Sequence, residues 1–165
     1  MSTQQFAFTS HCNADAETVL GLLDDADGWS RWARPLVVHT CWERWGHPAP
    51  AGPGAVRKLG AWPIWIRELI LTRDAGGQTY TVISPALFTH YLGSVTVSAA
   101  AAGGVDIDWR VDFVARHRIM VPLLRRVFQT TIAGLLTRLS KAADNHACSP
   151  VRGRQSPSQR GKFTQ

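Results

Sequence analysis

Residues 105–143 read VDIDWRVDFVARHRIMVPLLRRVFQTTIAGLLTRLSKAA. The first part alternates: Ile107, Trp109, Val111 and Phe113 fall on one side of an extended chain, and Asp106, Asp108, Arg110 and Asp112 on the other. That pattern predicts a strand with one face on a core and one in water, as antiparallel sheets commonly have. After it the period changes. Pro122 fits the first turn of a helix, and Leu124, Val127, Phe128, Thr131, Ile132, Leu135 and Leu139 recur at spacings of three and four. A helix of about 22 residues, from Pro122 to Ala143, spans about 33 Å, long enough to cross a whole sheet.

Upstream, QQFAFTSH (4–11) predicts an opening strand. Asn13 or Asp15 offers an N-cap to a short amphipathic helix carrying Val19, Leu20, Leu22 and Leu23. Asp27-Gly28 breaks that helix, and WSRW reads as a second helical turn ending before Pro35. From Leu36 the pattern is period two: LVVHTCWERW, AVRKLGAW, IWIRELILTR, QTYTVIS and HYLGSVTVSA read as strands, separated by turn residues. The order is therefore α+β: one strand, two short helices, about six antiparallel strands, one long helix. A sheet with a single long helix must curl round it to bury both apolar faces.

With 45% hydrophobic and 18% charged residues, a chain of 165 fits one domain with a real core. No basic segment followed by an apolar run opens the chain, and no apolar stretch of about 18 residues stands out, so the reading is cytoplasmic, without a membrane span. Cys12, Cys41 and Cys148 lack CxxC spacing; reduced thiols are expected, with Cys12 and Cys41 as small core residues. The net charge of +6 resides largely in the tail. Arg152, Arg154, Arg160 and Lys162 follow Asn145 with no acid among them, and removing those four from 18 bases leaves 14 against 12 acids. Specific nucleic-acid binding is not expected of the folded part. The reading divides the chain into a domain at 1–145 and a disordered basic tail at 146–165.

Several local motifs stand in a characteristic order: DADGWSRWARPLVV (25–38), GAVRKL (54–59), WIRELI (65–70), YTVISP (80–85), HYLGSVTV (90–97) and VDIDWRVDF (105–113). Their order and spacing resemble the START/Bet v1-like (SRPBCC) superfamily, in particular its bacterial polyketide cyclase/dehydrase-type members, over residues 4–144. The resemblance implies a helix-grip fold, a curved sheet of six to seven strands wrapped round the long helix with a ligand cavity between them. It implies little about activity, because that superfamily includes carriers, cyclases and ligand-binding regulators.

By alternation the residues facing such a cavity are Tyr80, Val82, Tyr91, Gly93, Val95, Val97, Trp109, Val111 and Phe113, met from the helix by Phe128, Thr131 and Leu135. Tyr80, Tyr91 and Trp109 combine a large apolar body with one hydrogen-bonding tip, suited either to orienting a ring-bearing ligand or to filling a core. Glu68, between Ile66 and Ile70 on an apolar strand, is expected to point inward. It is then either a general base, with Arg57 or Tyr91 stabilising an enolate, or the partner of Arg57 or Lys58 in a structural ion pair. His90 alternates away from Tyr91 and is expected outside. Trp62-Pro63 and the loop after Trp45 are candidate rims of an entrance, and Trp29 and Trp32 a plug at the sheet end. No metal-ligand spacing, phosphate loop, nucleophile elbow or dinucleotide glycine pattern is present, so neither a metal nor a nucleotide cofactor is expected. The expected partner is a small hydrophobic, ring-containing or acyl ligand, carried or sequestered. The alternative is a cyclase/dehydrase-like enzyme acting on a hydrophobic carbonyl compound.

Overall fold

The computed structural model describes residues 3–148. Strand β1 (Gln4–Cys12) leads into α1 (Ala16–Asp24), a 3-10 turn (Ala26–Gly28) and α2 (Trp29–Trp32). Six strands follow: β2 (His39–Arg44), β3 (Val56–Ala61), β4 (Ile64–Asp74), β5 (Gly77–Ser84), β6 (Phe88–Ala99) and β7 (Val105–Ala115). A second 3-10 turn (Arg118–Met120) precedes the long helix α3 (Val121–Ala147). All strands pair antiparallel in one seven-stranded sheet of order β1-β7-β6-β5-β4-β3-β2. The fold is the α+β helix-grip expected, with the curved sheet wrapped on α3.

Local chemistry accounts for the elements. Asp15 caps α1 by accepting the Thr18 N–H at 2.7 Å, and that bond holds its carboxyl below the usual aspartate range. The strand that decides the fold behaves as its alternation requires: Val105, Ile107, Trp109, Val111, Phe113 and Ala115 are buried, and every residue between them is at least partly open. Helix α3 presents Leu124, Ile132, Leu135, Leu136, Leu139, Ser140 and Ala143 to the core. It packs chiefly on β1, and also on α1 and β7, and Ser140 Oγ lies 2.8 Å from Ser10 Oγ on β1.

Four expectations need correction. Leu36, Val37 and Val38 precede the strand; the N–H groups of Leu36 and Val37 both bond the Ala33 carbonyl, and Leu36 lies where a Cβ on Gly134 of α3 would sit, so this apolar run is a turn pressed against the helix. Val127 is exposed and falls outside the stripe of α3. Cys41 is exposed on the outer face of β2, whereas Cys12 is buried as expected. Helix α3 continues through Ala147, so residues 146 and 147 are helical rather than tail; residues 149–165 lie outside the described residues. In addition, the segment Arg118–Ala147 contains an 18-residue window of mean hydropathy 1.3, long and apolar enough by composition to cross a membrane. The buried stripe shows what that apolarity does here: α3 is the core helix.

Candidate functional site

Register places the inward side chains. Trp42 on β2 pairs with Arg57 on β3, Arg57 with Glu68 on β4, and Glu68 with Val82 on β5. Ile70 pairs with Tyr80, and Tyr80 with Gly93 on β6. Because Cα partners share a sheet face, Trp42, Arg57, Glu68, Val82, Tyr80 and Gly93 form one inner surface. Glu68 therefore points inward as its sequence position requires, and His90 points out, exposed.

The centre of this surface is a buried cation. Arg57 is 0% exposed and Glu68 8%. Arg57 Nε and Nη2 both donate to Glu68 Oε2, at 3.1 and 2.7 Å, so Oε1 takes neither bond. Arg57 Nη1 donates to the Leu23 carbonyl at 3.4 Å, and the Trp29 indole Nε1 donates to the same oxygen at 3.2 Å. Trp42 Nε1 donates to the carbonyl of Asp24 at 3.1 Å. These carbonyls are the unpaired acceptors at the C-terminal, negative end of α1, which is why a guanidinium is stable there. Aromatic faces complete the enclosure: the Arg57 guanidinium lies 4.1 Å from the Trp29 ring centre and 5.8 Å from those of Trp42 and Tyr80. Asp24 holds Arg73 of β4 through two bonds of 2.9 and 2.7 Å and ties α1 to the sheet.

Beside the ion pair stand the two tyrosines. Trp109 Nε1 donates to Tyr80 Oη at 2.9 Å, and the Tyr80 and Tyr91 rings lie 6.1 Å apart. Burial pushes both phenols well above their ordinary range, and the Glu68 carboxylate adds to the effect on each. Both stay protonated at neutral pH, able to donate but not to act as bases. Gly93 makes room for this: a Cβ there would lie 2.3 Å from Tyr80 Cζ. Tyr91 continues into an aromatic cluster in which Phe88 contacts Tyr91, Phe113 and Phe128 at ring separations of 5.0, 5.5 and 5.4 Å.

Exposure grades along the inner surface. Tyr80, Tyr91, Val95, Val97, Trp109, Val111, Phe113 and Leu135 are fully buried and form closed core. Toward the β3–β4 turn and the start of α3, the inward Ile66, Val82, Phe88, Phe128 and Thr131 are only partly buried. This less completely covered part of the inner face, near the first half of α3 and strands β4–β6, is the candidate opening. Among the described residues, Trp32 Nε1, Thr40 Oγ1, both amide atoms of Gln78 and Asp112 Oδ1 are buried without a hydrogen-bond partner. A surface groove of about 830 Å³ lies elsewhere, between α1, α2 and the end of α3.

The sequence-derived set is therefore divided. Glu68, Arg57, Tyr80, Tyr91 and Trp109 come together as one buried cluster; Val82, Phe128 and Thr131 line the opening; Val95, Val111, Phe113 and Leu135 are core. Two members escaped sequence reasoning, Trp29 as the stacking face for Arg57 and the Leu23 carbonyl as its acceptor. Among the described residues no group of His, Cys, Asp and Glu side chains is arranged to hold a metal ion.

Residues 3–144 match the family described as polyketide cyclase/dehydrase and lipid transport. The chain belongs to this family. No curated protein matches it. Among solved structures it is similar to the Zhui aromatase/cyclase from Streptomyces sp. R1128, with a TM-score of 0.74 at 15% identity over 88% of this chain and 96% of that one. It is also similar to a START superfamily protein from Mycobacterium smegmatis, with a TM-score of 0.70 at 11% identity over 86% and 98%. The di-domain aromatase/cyclase StfQ of the steffimycin biosynthetic pathway gives a TM-score of 0.70 at 17% identity, covering 88% of this chain and 52% of that one, so this family member spans about half the length of StfQ. At these identities the likeness establishes the fold, that of the START/Bet v1-like superfamily.

Proposed function

We propose that the chain binds a small hydrophobic ligand, ring-containing or acyl, between α3 and strands β4–β6, and carries or sequesters it in the cytoplasm. The observation that carries this reading is the graded opening of the inner face. Apolar side chains at Ile66, Val82, Phe88 and Phe128 are left partly uncovered by their own fold, and the protonated phenols and the Glu68 carboxylate lie behind them. Covering about 300 Å² of apolar area contributes roughly 7 kcal/mol gross, and association costs reduce that, so micromolar affinity requires a larger covered area or polar contacts in addition. Exposed Cys41 and Cys148, both unpaired, support a reducing compartment. The family's description includes lipid transport, which supports a carrier.

Catalysis of the cyclase/dehydrase type is the second reading, favoured by one observation: both bonds from Arg57 go to Oε2 of the inward Glu68, and Oε1 takes neither. Glu68 would be the base through Oε1, with Arg57 holding the other oxygen. Against it, Glu68 is held in a buried pair by two bonds from Arg57 to Oε2, which fixes the carboxylate in a structural role.

Native mass spectrometry of freshly purified protein, followed by organic extraction, tests the binding role. A stoichiometric apolar adduct is expected, lost in Val82→Asp. An adduct that persists in Val82→Asp and in Phe128→Ala would place the ligand elsewhere and refute the site. Turnover of an extracted ligand or its carbonyl relatives, abolished by Glu68→Gln with binding kept, would establish the second reading instead.

A further inference from the structure

The end of the sheet at which the inner face opens carries a second pattern. Strand pairing puts the end of β7, the start of β6, the end of β5 and the β3–β4 turn at this same end: Ala115 faces Phe88, Ser84 faces Arg67, and Ala61 faces Ile64. Arg116 N–H bonds the Leu87 carbonyl at 2.8 Å and fixes the approach to α3 against the β5–β6 loop. From this end project the most exposed large apolar side chains of the described residues, Ile119 at 87% in the 3-10 turn and Trp62 at 85% in the β3–β4 turn. Ile64 lies beside Trp62, and Leu123 and Val127 continue from Ile119 at four-residue intervals along one exposed line of α3. Single exposed apolar residues are ordinary; a set gathered at one end of a molecule is not.

The charges around them have one sign. No acid occurs between Asp112 and Asp144, nor between Glu43 and Glu68. Arg116, Arg118, Arg125 and Arg126 are all exposed, and none forms an ion pair among the described residues; Arg125 donates to Gln4 Oε1 at 3.3 Å. Apolar tips that include a tryptophan, interleaved with unpaired arginines, are the composition of a surface that lies in a lipid headgroup layer. The geometry points the same way. The two tips rise from elements three strands apart, about 14 Å along the sheet, on either side of the opening. A deformable plane meets both at once, whereas a folded acidic partner would have to bridge the gap.

We propose that this end, with Trp62, Ile64, Ile119, Leu123 and Val127 flanked by Arg116, Arg118, Arg125 and Arg126, is a docking surface for an anionic lipid bilayer. It sets the opening of the inner face directly against the membrane. The proposal does not depend on what the interior binds, since vesicle association reads the surface alone.

The test is co-sedimentation of the full chain with phosphatidylcholine vesicles with and without phosphatidylglycerol. Association is expected with the anionic vesicles and weak with phosphatidylcholine alone. Arg118→Glu with Arg126→Glu is expected to weaken it by about fivefold per arginine removed, and Trp62→Ser with Ile119→Ser by tenfold or more, with circular dichroism unchanged because all four side chains are exposed. Replacing the basic tail residues Arg152, Arg154, Arg160 and Lys162 by glutamine is expected to leave most of the association in place. Three results would overturn the proposal: no association with anionic vesicles, loss in the tail variant but not in the others, or loss in the arginine variant with the Trp62/Ile119 variant unaffected. The last would indicate charge-driven adsorption in which the apolar tips do not enter the lipid.

Discussion

Glu68→Leu provides the sharpest test of how the buried cluster is built. Arg57 is fully buried, and its full negative partner is Glu68, reached through two bonds to Oε2. Removing one member of a buried ion pair costs about 3–5 kcal/mol, because the remaining charge is left without compensation. The Leu23 carbonyl and the face of Trp29 still receive part of the guanidinium, which places the expected loss near the lower figure, about 3 kcal/mol. For a domain of this size that lowers the melting temperature by roughly 6–12 °C. Glu68→Gln keeps a neutral acceptor and costs about 1 kcal/mol, the difference between a charged and a neutral hydrogen bond. Arg57→Met leaves a carboxylate that still reaches solvent and falls between the two. The double variant Arg57→Met/Glu68→Leu, with neither charge, recovers to within about 1 kcal/mol of the parent. Thermal and urea unfolding of the four proteins measure the series. If Glu68→Leu melts within a degree or two of the parent, or the double variant is no more stable than the worse single one, the ion pair is not what satisfies Arg57.

Other consequences are as definite. The chain has two tyrosines and both are buried with raised pKa values. Their contribution to stability is complete below about pH 10 and is lost as pH rises above it, because the unfolded chain then releases phenol protons that the folded one retains. Absorbance at the phenolate band should therefore stay flat until circular dichroism reports unfolding; a phenolate signal from folded protein would contradict the burial. Gly93→Ala forces its methyl into the Tyr80 ring, which Trp109 holds in place, and should cost about 1–3 kcal/mol or more in urea unfolding; a neutral result would mean that Tyr80 moves freely. Leu139→Ala, at a fully buried position of α3, should cost about 2–5 kcal/mol, whereas Val127→Ala, on the exposed line, should cost less than about 0.5 kcal/mol.

Much of this arrangement is readable in the sequence where one period dominates. The strand Val105–Ala115 declares its inner face residue by residue, and Glu68 is marked as inward by its place between Ile66 and Ile70. What the sequence does not contain is the set of contacts made across chain distance. Trp29 and Leu23 belong to a short helix and its neighbour, yet they complete the environment of an arginine on β3, more than two dozen positions later. Leu36–Val38 reads as strand because it is apolar, but the pressure of Leu36 on α3 at Gly134 decides its conformation. Val127 fits the spacing of the buried stripe and is left outside because the stripe rotates toward Phe128 and Ile132 as α3 crosses β1 and β7.

The unequal cover that α3 gives the sheet also divides mutational freedom. Strand β7 and the second half of α3 form close-packed core, where nearly any change of volume is felt as lost stability. Strands β4 and β5, with the first half of α3, carry side chains that the fold leaves partly uncovered. Under the proposed binding role, substitutions at Ile66, Val82 or Thr131 are expected to reshape what the interior accepts at less cost to folding than changes at Phe128, which packs on Phe88, Tyr91 and Phe113. A scaffold partitioned in this way can drift in selectivity while its architecture stays fixed, which fits a chain that keeps a TM-score of 0.74 to another protein at 15% identity. A library confined to Ile66, Val82 and Thr131 is accordingly the economical starting point for testing which residues set what the interior binds.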